Sequence, residues 1–313
     1  MRKFLSIILN GVYKQTNRAY RTSKMALSRF EYVKQFEHEE KLLKNCWIVV
    51  RVDGKGFHRF CNVHKFKKPN DIDALQLMNM AGMTVMQDFN EIVLAYGQSD
   101  EYSFVFRRDA SVYQRRRDKL VSYVASLFTS AYMFHWANIF KGRSLVMCYP
   151  PAFDARTVLY PTDENLRDYL SWRQADAHVN NLYNTTFWNL VSSGMSNADA
   201  ENKLKGTLAK DKNEILFTHF NINYNNEPLI YRKGTILMRK TIEVKEKKQK
   251  FIVPIFEDLI GDDFWLRHPE ILGKKTNPED IYDLGVNDKQ PIIQYQLGVF
   301  EKRKDGRNKP VDE

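Results

Sequence analysis

The stretch Trp47-Ile48-Val49-Val50-Arg51-Val52 constrains this chain more than any other, being apolar almost throughout and rich in β-branched residues. A run of this kind, without polar alternation, is what a strand covered on both faces requires. The chain therefore needs a sheet with a layer on each side, and 313 residues at 43% apolar content are enough to build one. The strand closes on Asp53-Gly54. Pro69-Asn70-Asp71 supplies a helix start, after which Leu75, Met78, Gly82, Val85 and Met86 recur at helical spacing. Ile92 to Tyr96 reads as a second strand, Gly97-Gln98-Ser99 as a turn, and Asp100 to Phe106 as a third strand with Tyr102, Phe104 and Phe106 on one face. Leu120, Val124, Leu127, Phe128 and Ala131 mark a long helix, and Thr157 to Tyr160 a short strand. Strands and helices are thus mixed in one α+β unit.

After Pro161 the pattern turns helical, through Leu166, Tyr169 and Leu170, then Phe187, Leu190 and Val191, with a third stretch near Asp199 to Leu208. This predicts a mostly helical subdomain over 162–240. From Thr241 the chain is rich in charge, with Lys245, Lys247, Lys248 and Lys250 close together and a basic end from Lys302 to Pro310, so 241–313 is expected to be a solvated extension. At the other end, Arg2, Lys3, Lys14, Arg18, Arg21, Lys24 and Arg29 precede the first acid, Glu31, and are interleaved with Phe4, Leu5, Ile7, Ile8 and Leu9. Within the basic segment 1–29, residues 1–24 read as a mitochondrial transit segment, and Met25 offers a start that omits it. Mitochondrial and cytoplasmic locations are both expected on this reading, a solvated basic arm being the alternative.

No run reaches the roughly 18 apolar residues of a membrane span. Cys46, Cys61 and Cys148 are odd in number and lack metal-ligand spacing, which argues against a disulfide framework and a structural zinc. A formal charge of +10 and a pI near 9.3 suit a phosphate-bearing partner, although many soluble enzymes carry as much.

The acids are the informative groups. Asp53 ends a buried strand, and Asp100-Glu101 sits at the bend of a neighbouring hairpin, where a sheet opens towards a ligand. Carboxylates gathered there repel one another unless they share a proton or a divalent cation, and hard oxygen donors suit Mg²⁺. Two such ions serve an in-line displacement at phosphorus. Strand alternation puts Asp100 on the face of Tyr102 and Glu101 with Ser103 on the other. One of the two is expected to share a metal with Asp53 and the other to give local support, while ordinary turn acids remain the alternative. Beside Asp53 runs Gly54-Lys55-Gly56-Phe57-His58-Arg59, whose glycines let backbone N–H groups approach a phosphate. No GxxxxGK[ST] occurs, which excludes a P-loop NTPase. Lys67, Lys68, Arg115, Arg116, Arg117 and Lys119 are further phosphate candidates. The amide-rich stretches His178 to Thr185 and Asn221 to Asn226 read either as ligand contacts or as internal networks.

Taken in order, VVRVDGKGFHRF, KPND, YGQSDEYSFVF, RRRDK, DYLSWRQADAHVNNLYNT, GTLAKDKNEILF and INYNNE resemble the tRNA-His guanylyltransferase family. The resemblance runs from Phe30 to about Lys240. GDDFWLRHPEIL resembles a tail of animal members, and Thr241 to Ile260 has no counterpart. The resemblance implies a palm-type nucleotidyltransferase core over 30–161, akin to polymerases but working in the 3′-5′ direction. It implies two Mg²⁺ ions held by Asp53, the Gly54 carbonyl and Asp100, with Ser99 and Glu101 also needed for activity. Gly54, Lys55, Gly56, Phe57 and His58 match the nucleotide-binding loop, although Lys55 and Gly56 receive no role of their own. Lys68, Asn70, Asp71, Arg116 and Lys119 match positions handling a second triphosphate, and His178, Lys212 and Asn223 match residues of the tRNA or activation steps. ATP, GTP and histidine tRNA are the implied substrates, and a homotetramer the implied assembly. In the implied reaction, ATP adenylylates the tRNA 5′-monophosphate, the GTP 3′-hydroxyl attacks and expels AMP, and pyrophosphate is removed. The rival readings are a palm-fold nucleotide cyclase and a non-catalytic tRNA-binding protein.

Overall fold

The structure, a computed structural model, describes residues 29–244 and 247–274. The readings made for residues 1–24, Lys245 and Lys302 to Pro310 lie outside the described residues. Contacts divide the chain between Glu39 and Glu40. On the N-terminal side, the described residues form a 3₁₀ turn, Glu31–Phe36, closed by a Lys34–Glu31 ion pair of 2.9 Å.

The C-terminal unit is built on a sheet. Its strands are β1 (Trp47–Gly54), β2 (Ile92–Gln98), β3 (Glu101–Phe106), β4 (Phe153–Tyr160), β5 (Thr235–Val244) and β6 (Lys247–Ile255), in the order β4-β1-β3-β2-β5-β6, all neighbours antiparallel. β1 lies inside this sheet and is covered on both faces, as its composition demands. Ile48, Val50 and Val52 pack against α2 (Ile72–Asp88) and α3 (Arg117–Ile139), among Met83, Val124 and Phe128. Trp47 and Val49 face the opposite way, against Leu166, Tyr169 and Leu170 of α4 (Asp163–Ser192). Full burial of Ile48, Val49, Val50 and Val52 stabilises the strand by roughly 1.5–3 kcal/mol each. That anchorage lets its open end carry a charge.

Two local contacts fix the hairpin. Tyr102 Oη donates to Asn79 Oδ1 at 3.1 Å, and the ring of Tyr102 lies flat on Gly97, where a Cβ would stand 2.1 Å from it. Asp71 caps α2 by accepting from the Asp73 and Ala74 amides, as the helix-start reading expects.

The helical part differs from the expectation in two places. The stretches around Leu166 and Phe187 are one continuous α4, capped by Thr162 Oγ1 on the Asn165 amide at 3.1 Å. Neither Pro nor Gly interrupts it, and Asn181 in its polar middle is satisfied sideways, on Tyr224 Oη at 2.9 Å. The third stretch is the shorter helix α5 (Asn197–Leu204), ended before Gly206, whose φ of 77° no helix allows, and a further helix that the sequence reading missed, α6 (Ala209–Phe220), begins just after Leu208. Between α6 and β5 lies the short α7 (Leu229–Lys233).

The expected boundary at 240/241 falls inside β5. Thr241 to Ile255 is therefore no solvated extension but, over its described residues, a hairpin of the main sheet. Ile242, Phe251, Val253 and Ile255 turn to the core while Lys248 and Lys250 stay exposed. Lysine on an edge strand also blunts pairing with other chains. The following α8 (Asp263–Arg267) buries Phe264 and Trp265 against the same cluster as Trp47.

Candidate active site

The site forms where β1 ends beside the β2–β3 bend. Asp53 pairs in register with Glu101, which places Asp100 just past the pair, and the Gly54 amide donates to the Asp100 carbonyl at 3.1 Å. Gly54 has to be glycine here: a Cβ would stand 2.9 Å from an Asp100 carboxylate oxygen and 2.3 Å from the Phe57 ring. Ser99, held at a φ of 50°, donates its hydroxyl to Asp100 Oδ1 at 3.0 Å. Burial pushes the Asp100 carboxyl above its ordinary range against the pull of backbone and Ser99 hydrogen bonds, and the Asp53 charge raises it further.

Glu101 shares a face with its register partner Asp53 and borders the same cleft. Arg173 of α4 approaches it at 3.2 Å and Arg51 at 3.8 Å, with all three side chains largely buried. Burial pushes the Glu101 carboxyl up while these two guanidinium groups pull it down. Arg173 is also paired with Asp176, whose carboxylate accepts from Gln98 at 3.5 Å. The two acids differ in their partners: Glu101 is held between two arginines, and Asp100 lies against Ser99 and Gly54.

Both aspartates border a cleft of about 770 Å³ that also reaches Phe57, His58, Ser99, Lys68, Asn70 and Asp71. Phe57 opens the short helix α1 (Phe57–Val63) directly after Gly56, whose φ is 65°. Lys55 and Gly56 do not border the cleft; Lys55 ties its amide to the Ala152 carbonyl at 2.8 Å. Asn70 donates to Asn181 Oδ1 at 2.9 Å, joining the loop before α2 to α4. Asp71 is buried and committed to its cap, to the Lys67 amide at 2.9 Å and to Arg143 at 2.7 Å. Its carboxylate holds the loop together.

The basic candidates separate. Lys67 and Lys68 line the cleft, and Lys68 Nζ stands 5.4 Å over the Trp188 ring. Arg115 is no phosphate contact: its guanidinium is buried and donates to the carbonyls of Ala110, Cys46, Leu42, Arg108 and Leu43. Arg117 pairs with Glu40 at 2.6 Å. Arg116 and Lys119 sit at the start of α3 outside the cleft, Arg116 Nε on the Tyr113 carbonyl at 3.2 Å and Lys119 over the Tyr113 ring at 5.5 Å.

His178, Lys212 and Asn223 lie beyond the cleft's lining. His178 stands 5.5 Å from the Tyr224 ring, and burial, with the Arg232 charge, lowers its pKa. Lys212 Nζ donates to Thr207 O and Oγ1, both at 2.8 Å. Asn223 accepts from the Asn225 amide at 3.0 Å and borders a separate recess of about 530 Å³ with Phe217 and Tyr224. Reading the sequence missed Arg51, Gln98, Arg173 and Asp176. A signal was present for the last two, since positions 173, 176, 177, 180, 181 and 184 repeat at the spacing of one helix face.

Comparison with known proteins follows the same residues. Residues 30–161 match the family model described as tRNAHis guanylyltransferase, and residues 164–277 that of the Thg1 C terminal domain. A Drosophila melanogaster protein named probable tRNA(His) guanylyltransferase is 58% identical over 251 residues, 80% of this chain and 87% of that one. The tRNA(His) guanylyltransferase of Schizosaccharomyces pombe is 52% identical over 257 residues, 78% of this chain and 97% of its own. The crystal structure of the Saccharomyces cerevisiae tRNA(His) guanylyltransferase superposes with a TM-score of 0.64 at 44% identity, covering 72% of this chain and 96% of that one. With both family models matched across the catalytic sheet and the helical part, the chain belongs to the tRNA-His guanylyltransferase family.

Proposed function

We propose that this protein adds a guanosine to the 5′ end of histidine tRNA, by 3′-5′ nucleotide addition on a palm-type sheet. The observation that carries the reading is the juxtaposition of Asp53 and Asp100 at the mouth of the cleft, with Gly54 leaving the space between them clear. The donor chemistry fits Mg²⁺. Among the described residues no group of three or more His, Cys, Asp or Glu side chains forms a complete cage. Two carboxylates and the Gly54 carbonyl, completed by substrate phosphates, are the sparse oxygen set that Mg²⁺ accepts. Two bound ions supply polarisation of the attacking hydroxyl and neutralisation of the leaving phosphate.

The remaining work falls to the chain. Asp53 and Asp100 hold the charge that draws cations to the reacting phosphorus, and Ser99 orients Asp100 through its hydrogen bond. Arg173 and Arg51 hold Glu101 at the bend on the cleft wall, so the bend keeps its register while substrates exchange. Lys68 and Asn70 present an ammonium and an amide to a triphosphate in the same cleft. On this reading ATP adenylylates the 5′-monophosphate of the tRNA with release of pyrophosphate, the GTP 3′-hydroxyl displaces AMP, and the pyrophosphate of the added nucleotide is then removed.

The test uses the purified protein with Mg²⁺, ATP, labelled GTP and 5′-monophosphorylated histidine tRNA, with another tRNA as control. Label confined to the 5′ end of the histidine tRNA is the expected result. A cyclic product from GTP alone, with unlabelled RNA, replaces the reading with a cyclase. We also propose a homotetramer, for which light scattering should give about four times the 36.9 kDa of one chain. Residues 1–24, fused to a fluorescent reporter, should carry it into mitochondria, and a diffuse signal overturns the transit reading.

A further inference from the structure

The cleft has a second end that the reaction scheme leaves unassigned. Asp176, Asn180, Asn184 and Trp188 recur every four residues along α4, and all four border the cleft. At about 1.5 Å per residue this stripe is roughly 18 Å long. Its first member touches Gln98 beside the paired aspartates, so its last lies well away from them.

The chemistry changes along the stripe. Asparagine inside a helix is unfavourable unless its amide finds a partner. Asn181 has two, Asn70 and Tyr224, and Asn189 bonds the Thr185 carbonyl at 2.8 Å. Among the described residues Asn180 and Asn184 have no hydrogen-bond partner, and both stand exposed in the cleft wall, each with two donors and an acceptor free. Beside them is an aromatic group: Tyr183 and Phe187 are stacked at 6.2 Å, Trp188 meets Phe187 edge-on at 5.2 Å, and Lys68 Nζ hangs 5.4 Å over Trp188. Glu201 closes this end with an acceptor-only carboxylate.

Beyond Lys68, already assigned to a phosphate, this lining offers amides, rings and the Glu201 carboxylate. A flat group with hydrogen-bonding edges suits it well. Aromatic faces stack bases, free amides pair with their edges, and a neighbouring lysine meets the attached phosphate. We infer that the Asn180–Trp188 end of the cleft is a nucleobase subsite, taking an unpaired base with an exocyclic amino group that Glu201 accepts. The inference rests on the guanylyltransferase reading for what enters the cleft. The base can come from a nucleoside triphosphate or from the unpaired end of the RNA, and the experiment separates these sources.

The test is calorimetric titration of the full-length protein, in Mg²⁺, with ATP, GTP and 5′-monophosphorylated tRNA, comparing wild type with Asn184→Ala and Trp188→Leu. Asn184 is exposed, so its variant keeps the wild-type melting temperature even where Trp188→Leu loosens the helix packing. A lost stacking or edge contact weakens binding roughly tenfold, about 1.4 kcal/mol. A tenfold loss confined to the tRNA places the RNA end here, and one confined to ATP or GTP places the nucleotide base here; both support the subsite. Unchanged affinity for all three ligands in a folded Asn184→Ala, with Trp188→Leu also unchanged, overturns it. Because titration reads binding alone, the result stands even if the labelling assay fails, and the two failures stay distinguishable.

Discussion

Asp100→Asn is expected to abolish nucleotide addition, by roughly a thousandfold or about 4 kcal/mol of transition-state stabilisation, while the fold survives. The substitution keeps the size of the side chain and its contact with Ser99, and removes one of two like charges at the end of a buried strand. Burial already disfavours the Asp100 carboxylate, so taking the charge away leaves the melting temperature, measured without divalent ions, equal to or above that of wild type. Adding Mg²⁺ should then raise the melting temperature of wild type and leave Asp100→Asn nearly unmoved, since a ligand stabilises only the state that binds it. A variant that turns over normally, or one that unfolds, removes Asp100 from the reacting centre. The matching change at Glu101 should behave differently: Glu101→Gln strands two buried guanidinium groups, Arg51 and Arg173, and should lower stability as well as activity.

The second large effect lies in the turn before α3. Tyr113, Gln114 and Arg115 have φ values of 49°, 55° and 60°, three consecutive left-handed residues without a glycine among them. Each costs about 1–2 kcal/mol. What holds them is Arg115, 5% exposed, whose guanidinium donates to Ala110 O at 2.9 Å, Cys46 O at 3.1 Å, and Leu42 O and Arg108 O at 3.3 Å. Burial lowers its pKa from the ordinary arginine value, the mark of a charge kept out of water for its donors. Arg115→Met should therefore cost roughly 3–5 kcal/mol in denaturant unfolding, because several carbonyls lose their donor at once while the strain stays. Gln114→Gly should move the other way, by about +1 kcal/mol, since glycine adopts that φ freely. If Arg115→Met falls within 0.5 kcal/mol of wild type, the guanidinium does not hold the turn.

Arg115, Arg116 and Arg117 are indistinguishable as sequence, three adjacent cations beside a helix start. In the fold one is a buried clamp, one rests on the Tyr113 carbonyl and one pairs with Glu40. The difference is set by the carbonyls of Leu42 and Cys46, some seventy positions earlier, which no local pattern announces. The lysines after Thr241 misled for a related reason. Their charge hid an alternation of Ile242, Phe251, Val253 and Ile255 that has meaning only once β2 offers an edge to pair with.

The sequence by itself determined the elements whose cause is local. β1 follows from its β-branched run and the start of α2 from Asp71, whereas Asp100, read as the first residue of the third strand, lies in the turn before it, since β3 begins at Glu101. The motifs also carried the family. Only the tertiary structure decided what charge each acid meets at the cleft, because that depends on what packs beside it. Arg51 comes from the neighbouring strand and Arg173 from a helix 72 residues downstream of Glu101, and together they claim Glu101. Asp100 is left with Asp53, a glycine that leaves room, and the open cleft. A period along the chain says which way a side chain points, and only packing says what charge it meets there.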